Sequence, residues 1–176
     1  MVEKRAWTDR EFAFDQPTWM FPNIVERVRG TPARVEDIVN GLTTSVLTQR
    51  MSDNTWSVQE NIGHLLDLES LWAARLDELL SGAAELTAWE PTNRASWAAN
   101  HNANSLDAIL KGYRDTRMRF VERLDGLTDA QIESSALHPR LQTPMRTIDL
   151  AVFVAEHDDY HLARISWLKR EIGQAL

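Results

Sequence analysis

The stretch from Thr147 to Ile172, TIDLAVFVAEHDDYHLARISWLKREI, predicts a long amphipathic helix that ends at Gly173. His157 and His161 lie four residues apart in it, so their imidazole rings share one helix face. Burying two imidazoles is costly unless their nitrogens are satisfied, and this spacing lets one helix offer two ligands to a metal ion. The same face carries apolar residues that turn both rings towards a core: Leu150, Val154, Ile165 and Leu168.

Three further segments have the 3.6-residue period of amphipathic helices and are separated by polar connections. Ser57 and Glu60 have the spacing of a capping box at the start of the second of these helices. Pro32, inside the first, predicts either a kink or a restart with Thr31 as N-cap. A helical turn is expected after Thr128, and no run has the alternation of a strand. The three predicted helices cover about residues 22–41, 57–80 and 102–124.

The pattern as a whole predicts an all-α fold, a four-helix bundle. We expect a single bundle domain over residues 21–176, preceded by a short irregular N-terminal arm over residues 1–20. The seven tryptophans are expected mostly in the core or at an interface, with some lining a pocket.

Composition excludes several classes of function. The chain has no cysteine, which rules out disulfides, thiolate ligands and a cysteine nucleophile, so any thiol chemistry needs a small-molecule thiol. A net charge of −7 argues against nucleic acid as a partner. No apolar run is long enough to span a membrane and no signal peptide is visible, so we expect a cytoplasmic protein. Four arginines of the third helix are interrupted by acidic residues and predict a solvated face: Arg114, Arg117, Arg119 and Arg123.

A third metal ligand is available on the second helix. His64 lies at the edge of the apolar stripe of that helix, and Gly63 beside it would let another element or a ligand approach closely. Glu60 and Asp67 lie near His64 on a helical wheel and are candidate general bases. The competing interpretations are a helix cap for Glu60 and a surface carboxylate for Asp67.

Other polar residues have a weaker claim to the site. His101 and His138 lie outside both helical motifs and are weaker candidates for lining a pocket. The acidic neighbours of the histidine pair either fix the imidazole tautomers or form a solvated side of the helix. These neighbours are Glu156, Asp158 and Asp159.

Two motifs resemble the signature of the DinB superfamily. The first is Trp56-Ser57-Val58-Gln59-Glu60-Asn61-Ile62-Gly63-His64-Leu65, followed by Asp67 and Glu69; the second is Ala155-Glu156-His157-Asp158-Asp159-Tyr160-His161. The approach to the last helix, residues 138–147, is similar as well. In many members the last histidine is followed by Arg/Gly-Gln, whereas here Leu162-Ala163-Arg164 follows, which weakens a subfamily assignment.

The resemblance implies a four-helix bundle in which three histidines bind one divalent ion, with water at the remaining positions. By position in the motifs, those ligands are His64, His157 and His161. Imidazole ligands suit zinc, nickel, iron and copper without selecting among them. We expect a divalent metal as the cofactor: zinc, nickel, iron or manganese. The resemblance also implies low-molecular-weight thiols as possible co-substrates.

Three hypotheses follow from these patterns. In the first, the protein is a metal-dependent enzyme that acts on a small-molecule substrate, as a thiol-dependent S-transferase or isomerase or as a hydrolase. In the second, it is a non-catalytic bundle that binds a metal or a small ligand in a stress response. In the third, the histidines pack without metal and the bundle serves as a dimer module. A homodimer is expected from the family pattern.

Overall fold

The computed structural model describes residues 5–175, and side chains as far as Gly173. The helices are α1 (Phe21–Val39), α2 (Thr44–Thr48), α3 (Val58–Asp67), α4 (Glu69–Ser81), α5 (Arg94–Ala99), α6 (Leu106–Asp125), α7 (Asp129–Ile132) and α8 (Thr147–Ala175). Strands β1 (Ser135–His138) and β2 (Thr143–Arg146) form an antiparallel pair in which Ser135 faces Arg146.

The predicted four-helix bundle is confirmed. α1 packs against α6 and α8, and α3 also packs against α6 and α8. The predicted second helix is divided at Leu68 into α3 and α4, although the Leu68 backbone keeps right-handed helical angles. The capping box is present: the Ser57 hydroxyl accepts a hydrogen bond from the Glu60 amide, and the Glu60 carboxylate accepts one from the Ser57 amide.

Helix α1 runs without interruption through Pro32, so the predicted restart at Thr31 is wrong. Proline has no N–H and leaves the carbonyl four residues earlier, that of Val28, without its helical hydrogen bond. Arg117 of α6 donates to this carbonyl at 3.3 Å. A side chain from a neighbouring helix therefore replaces the bond that Pro32 cannot make. The predicted end of the last helix at Gly173 is also wrong, because α8 continues to Ala175.

The sequence analysis missed the β1–β2 hairpin, whose strands have only four residues each. Leu137 anchors it to the segment after α4: its amide donates to Ala84 and its carbonyl accepts from Leu86. The turn includes Gln142 in a left-handed conformation. The hairpin brings His138 to one end of the bundle, where the sequence placed only a loop.

The solvated face predicted for the arginines of α6 is wrong at Arg117. Arg117 is fully buried and binds the carboxylates of Glu69 and Asp158. Two others pair with acidic residues on neighbouring helices, Arg114 with Glu36 and Arg123 with Asp77. Arg119 alone of the four is exposed without an ion pair among the described residues.

The N-terminal segment packs against α8 at Phe153. Residues 5–20 contain two short 3-10 turns, Trp7–Asp9 and Thr18–Met20, and are otherwise irregular. The ring centroids of Trp7 and Phe12 lie 5.0 and 4.9 Å from that of Phe153. Among residues 5–175, no helix combines the length and the apolar character that crossing a bilayer requires.

Candidate metal centre

The structure brings three histidines together inside the bundle. His64 comes from the last turn of α3, and His157 and His161 come from successive turns of α8. All three are buried, and one ring nitrogen from each lies within 4.8 Å of the other two. The ring centroids are 4.5 to 5.4 Å apart. This is the set that the sequence singled out, and the packing of α3 on α8 accounts for its assembly.

A hydrogen bond fixes the tautomer of His161. The amide nitrogen of Asn61 donates to the Ser57 carbonyl at 2.7 Å, which turns the amide oxygen of Asn61 towards His161 Nδ1 at 2.9 Å. That oxygen can only accept, so Nδ1 carries the hydrogen and Nε2 keeps its lone pair. Asn61 precedes His64 by three residues, so one helix face supplies both a candidate ligand and the group that orients another.

His64 is oriented by a chain of polar groups. Its Nδ1 lies 3.0 Å from the Ser96 hydroxyl, and Ser96, as a hydrogen-bond donor, lowers the pKa of the Asp67 carboxyl. Because the carboxylate only accepts, Ser96 donates to Asp67 and accepts from His64 Nδ1–H. The Nε2 lone pair of His64 is therefore free. Asp67 also lies 3.0 Å from Nε2 of His101.

Gly63 makes room for this arrangement. A Cβ at Gly63 would lie 2.1 Å from the His101 ring, which is far too short for a contact between non-bonded carbon atoms. The close approach expected at Gly63 is therefore made by His101. His101 does not line the cavity; it packs on α3 and holds Asp67.

Burial keeps all three imidazoles neutral. Desolvation lowers the pKa of His64 to about 4, although Asp67 opposes the shift. Desolvation also moves the pKa values of His157 and His161 well below their usual range, and the neighbouring imidazoles lower them further. At neutral pH each ring thus has a lone pair for a metal ion, and no proton has to be displaced first.

The three rings face a cavity of about 670 Å³. Five of the seven tryptophans line it, so much of its wall is aromatic: Trp7, Trp56, Trp72, Trp89 and Trp97. The polar part of the wall includes His138 and three arginines, Arg75, Arg140 and Arg164. His138 therefore joins the cavity, as the sequence allowed. No aspartate or glutamate is among the described residues that line it.

The two candidate bases lie outside the cavity. Glu60 is held by the Ser57 amide and by two nitrogens of Arg50, in the role of a helix cap. Burial raises its pKa, but the bonds from Arg50 and Ser57 outweigh this and the net pKa is lowered. Asp67 faces Ser96 and His101. The geometry gives Glu60 no contact with the histidines and connects Asp67 to His64 only through Ser96.

The acidic neighbours of the histidine pair do not orient the imidazoles. Asp158 is buried on another side of α8, where it binds Arg117 and accepts from the Thr31 hydroxyl at 2.7 Å. Glu156 and Asp159 pair with Arg27, and Asp159 also with Arg34. Asn61 and Ser96 orient the imidazoles instead. The sequence analysis assigned neither of them a role.

Comparison with known proteins identifies the family. Residues 27–165 match the DinB superfamily. The chain belongs to the DinB superfamily. The predicted resemblance is therefore confirmed over most of the chain.

Within the superfamily, the chain is similar to YfiT of Bacillus subtilis (strain 168), with 24% identity over 151 residues, 85% of this chain and 84% of the relative. The solved structure of YfiT superimposes with a TM-score of 0.78 at 20% identity, over 93% of this chain and 94% of that one. It is described as "a probable metal-dependent hydrolase with an unusual four-helix bundle topology". At this identity, the structural match establishes the fold.

Proposed function

We propose that this DinB protein is a metal-dependent enzyme that hydrolyses a small molecule, with His64, His157 and His161 as the metal ligands. One observation carries the proposal: three buried, neutral imidazoles from two helices converge at the wall of a large aromatic cavity. Structural metal sites are closed by four protein ligands, whereas catalytic sites have three and leave a position for water or substrate.

The residues present fit a divalent ion. Nδ1 of His157 is buried without a hydrogen-bond partner among the described residues, which is costly for an imidazole packed in a core. The other two rings have one nitrogen engaged and the other left with its lone pair. Three neutral ligands would leave the charge of the ion uncompensated, so when bound it would act as a Lewis acid and increase the acidity of water or of a thiol.

The protein's own residues would orient the ligands and shape the pocket. Asn61 and Ser96 hold two imidazoles in the ligand tautomer, and such outer contacts typically change metal affinity 10- to 100-fold. Trp56 packs 4.4 Å from His64 and Trp72 packs 5.7 Å from His157, measured between ring centroids. These indoles exclude water from the ligand side of the cavity and offer flat apolar surface to a substrate.

A second candidate reaction is transfer to or from a small thiol. The cavity volume favours it, because about 670 Å³ lies in the upper half of the range of roughly 300–1,000 Å³ for ligand pockets. On this second proposal, a thiol and a second small molecule would occupy that space together. A thiol must come from such a molecule, since the chain has no cysteine.

The metal site is tested by metal analysis of protein purified without a histidine tag. We expect about one divalent ion per chain, lost in His157→Ala and retained in the matched variant His138→Ala. His138 lines the cavity but is not part of the three-histidine cluster. An unchanged affinity in His157→Ala would show that the ligands are wrongly assigned.

Turnover separates an enzyme from a binding protein. The metal-loaded protein is screened against esters, amides and alkyl or aryl halides, in water alone and with bacillithiol, mycothiol or glutathione. Turnover in water alone supports the hydrolase, and turnover that requires a thiol supports the transferase. Metal binding without turnover in any arm would favour the non-catalytic binding bundle.

We also propose that the protein forms a homodimer in the cytoplasm. Trp19 is 73% exposed, the largest exposed fraction among the large hydrophobic side chains described. Exposed tryptophan is typical of surfaces that meet a partner. Light scattering on Trp19→Gln against the unaltered chain tests the dimer: a monomer in the variant only would place Trp19 in the interface.

A further inference from the structure

The cavity holds a second polar group that the metal site does not use. Arg75 on α4 is 1% exposed and lines the cavity wall. Its Nε donates to the Thr87 carbonyl at 3.0 Å, whereas its Nη2 is buried and has no hydrogen-bond partner in the described part of the chain. An arginine so deeply buried ordinarily faces a carboxylate, because an unpaired buried charge is strongly unfavourable.

No carboxylate of the described residues forms an ion pair with Arg75. Glu78 is the acidic residue that favours its charge, but one Glu78 oxygen accepts from the Thr87 amide at 2.7 Å and the other from the Thr87 hydroxyl. Desolvation lowers the pKa of Arg75 to about 10, which still leaves it cationic at neutral pH. The guanidinium therefore carries a full charge without an ion pair in the part of the chain that the structure describes.

His138 adds to this excess of hydrogen-bond donors. The Leu141 amide points at His138 Nδ1 at 3.3 Å, and Arg75 Nη1 points at Nε2 of the same ring at 3.3 Å. A neutral imidazole accepts at only one of its nitrogens, so in either tautomer the ring N–H faces another N–H donor. An acceptor placed beside that pair would satisfy both donors. Arg140, an exposed residue on the same wall, adds another guanidinium and forms no ion pair among the described residues.

We propose that Arg75, His138 and Arg140 form an anion-binding subsite, and that the substrate is a small molecule with a carboxylate or phosphate group on a flat or apolar body. An oxyanion offers the several acceptor lone pairs that these donors lack, and arginine binds carboxylate and phosphate in a bidentate manner. The net charge of the whole chain is −7, yet the described cavity lining has three arginines and no carboxylate.

The subsite and the histidine cluster are joined by a single aromatic ring. The Arg75 guanidinium carbon lies 5.6 Å from the Trp72 ring centroid, and the His157 centroid lies 5.7 Å from it. A molecule whose anionic end meets Arg75 would lay its body along Trp72, with its other end at the histidines. As a statement about the substrate, this inference rests on the proposed function; as a statement about anion binding, it does not require the metal.

The test measures binding of benzoate and phenyl phosphate to the full-length protein by calorimetry, with neutral benzamide as the matched probe. Chelator-treated and metal-loaded protein are compared, because an anion that needs the metal binds only in the second arm. We expect both anions to bind in both arms, and benzamide to bind at least about tenfold more weakly. The tighter anion identifies the substrate group as carboxylate or phosphate.

Variants assign the binding to the subsite. Arg75→Gln is expected to weaken anion binding about 10- to 100-fold and to leave benzamide unchanged. The control Arg119→Gln removes the same charge from the exposed face of α6 and is expected to change nothing. If Arg75→Gln fails to fold by circular dichroism, the exposed Arg140→Gln carries the test, with a smaller weakening expected.

The outcomes are separable. Anion binding in chelator-treated protein that both Arg75→Gln and Arg140→Gln leave intact would overturn the subsite, as would equal binding of benzoate and benzamide. Anion binding by a protein that takes up no divalent ion when metal is added would overturn the proposed function alone. Anions that bind only to metal-loaded protein would place the anion on the metal and also reject the subsite.

Discussion

Two buried arginines in this bundle have opposite surroundings. Arg117 has no exposed surface and lies between Glu69 and Asp158, with a further bond to the Val28 carbonyl. Arg75 is almost as deeply buried but faces His138 and the cavity, and no carboxylate among residues 5–175 pairs with it. The two arginines are buried to nearly the same extent but differ in whether carboxylates pair with them. A buried charge that the fold neutralises serves the fold, whereas one left without a counter-charge is placed for a ligand.

The largest expected effect tests the paired arginine. Arg117→Met leaves Glu69 and Asp158 buried without a cation, and we expect a loss of about 3–5 kcal/mol in the free energy of unfolding. The matched change Arg75→Met removes one bond to a carbonyl and no ion pair, so its expected loss is at most about 2 kcal/mol. Urea denaturation of both variants measures the difference. Equal losses at the two sites would break the comparison.

The sequence predicts more of the bundle than of its charged interior. Helical periodicity locates the long helices, and the spacing of His157 and His161 places two rings on one face, because both are local properties. The burial of Arg117 is not local: its two carboxylate partners lie 48 and 41 residues away. The bond from Arg117 to the Val28 carbonyl also allows α1 to continue through Pro32, where the sequence alone predicts either a kink or a restart.

The residues of the candidate site likewise differ in whether the sequence predicts them. The motifs on α3 and α8 supply the three histidines, whereas Ser96 reaches the site from α5, in a stretch where the sequence analysis predicts no helix. Arg75 lies within the predicted second helix, but its surroundings depend on residues distant in the chain, such as His138. His138 is positioned by a hairpin too short to leave a periodic signal.

A second expected effect concerns the neutral histidines that face the cavity, and His64 in particular. The unfolded chain protonates His64 near pH 6.5, whereas the folded chain does so only near pH 4. Between these values the unfolded state binds the extra proton, so folding stability is full above pH 6.5 and falls as the pH is lowered. For His64 the loss is about 2 kcal/mol by pH 5 and roughly 3 kcal/mol by pH 4.

Urea denaturation of chelator-treated protein at pH 7 and pH 5 measures this effect, with His64→Gln as the reference that lacks it. The carboxylates and the other histidines are present in both proteins, so the difference between their losses of stability from pH 7 to pH 5 isolates His64. Equal losses would mean that folding does not lower the pKa of His64. A metal would then compete with a proton for this ring below about pH 6.5.

A smaller effect is expected at Ser96, which orients His64. Ser96→Ala removes the hydroxyl between His64 Nδ1 and Asp67, so the ring loses the contact that fixes its tautomer. We expect zinc affinity to fall about tenfold, measured by competition with a chromophoric chelator. Ser96→Thr keeps the hydroxyl and should restore most of the affinity. A tenfold loss in Ser96→Thr as well would assign the effect to packing of α5.

The smallest effect is expected at Glu60, a paired charge like Arg117 but with a partner, Arg50, that is partly exposed. Glu60→Gln keeps a side chain that completes a capping box and loses the charge that faces Arg50, so the expected loss of stability is below about 1 kcal/mol. Metal affinity and turnover should stay within about twofold of the unaltered protein, because Glu60 does not line the cavity. A large fall in turnover with unchanged stability would make Glu60 a catalytic base after all. In that event pairing with an arginine would not mark a charge as structural, and the contrast between Arg117 and Arg75 would lose its meaning.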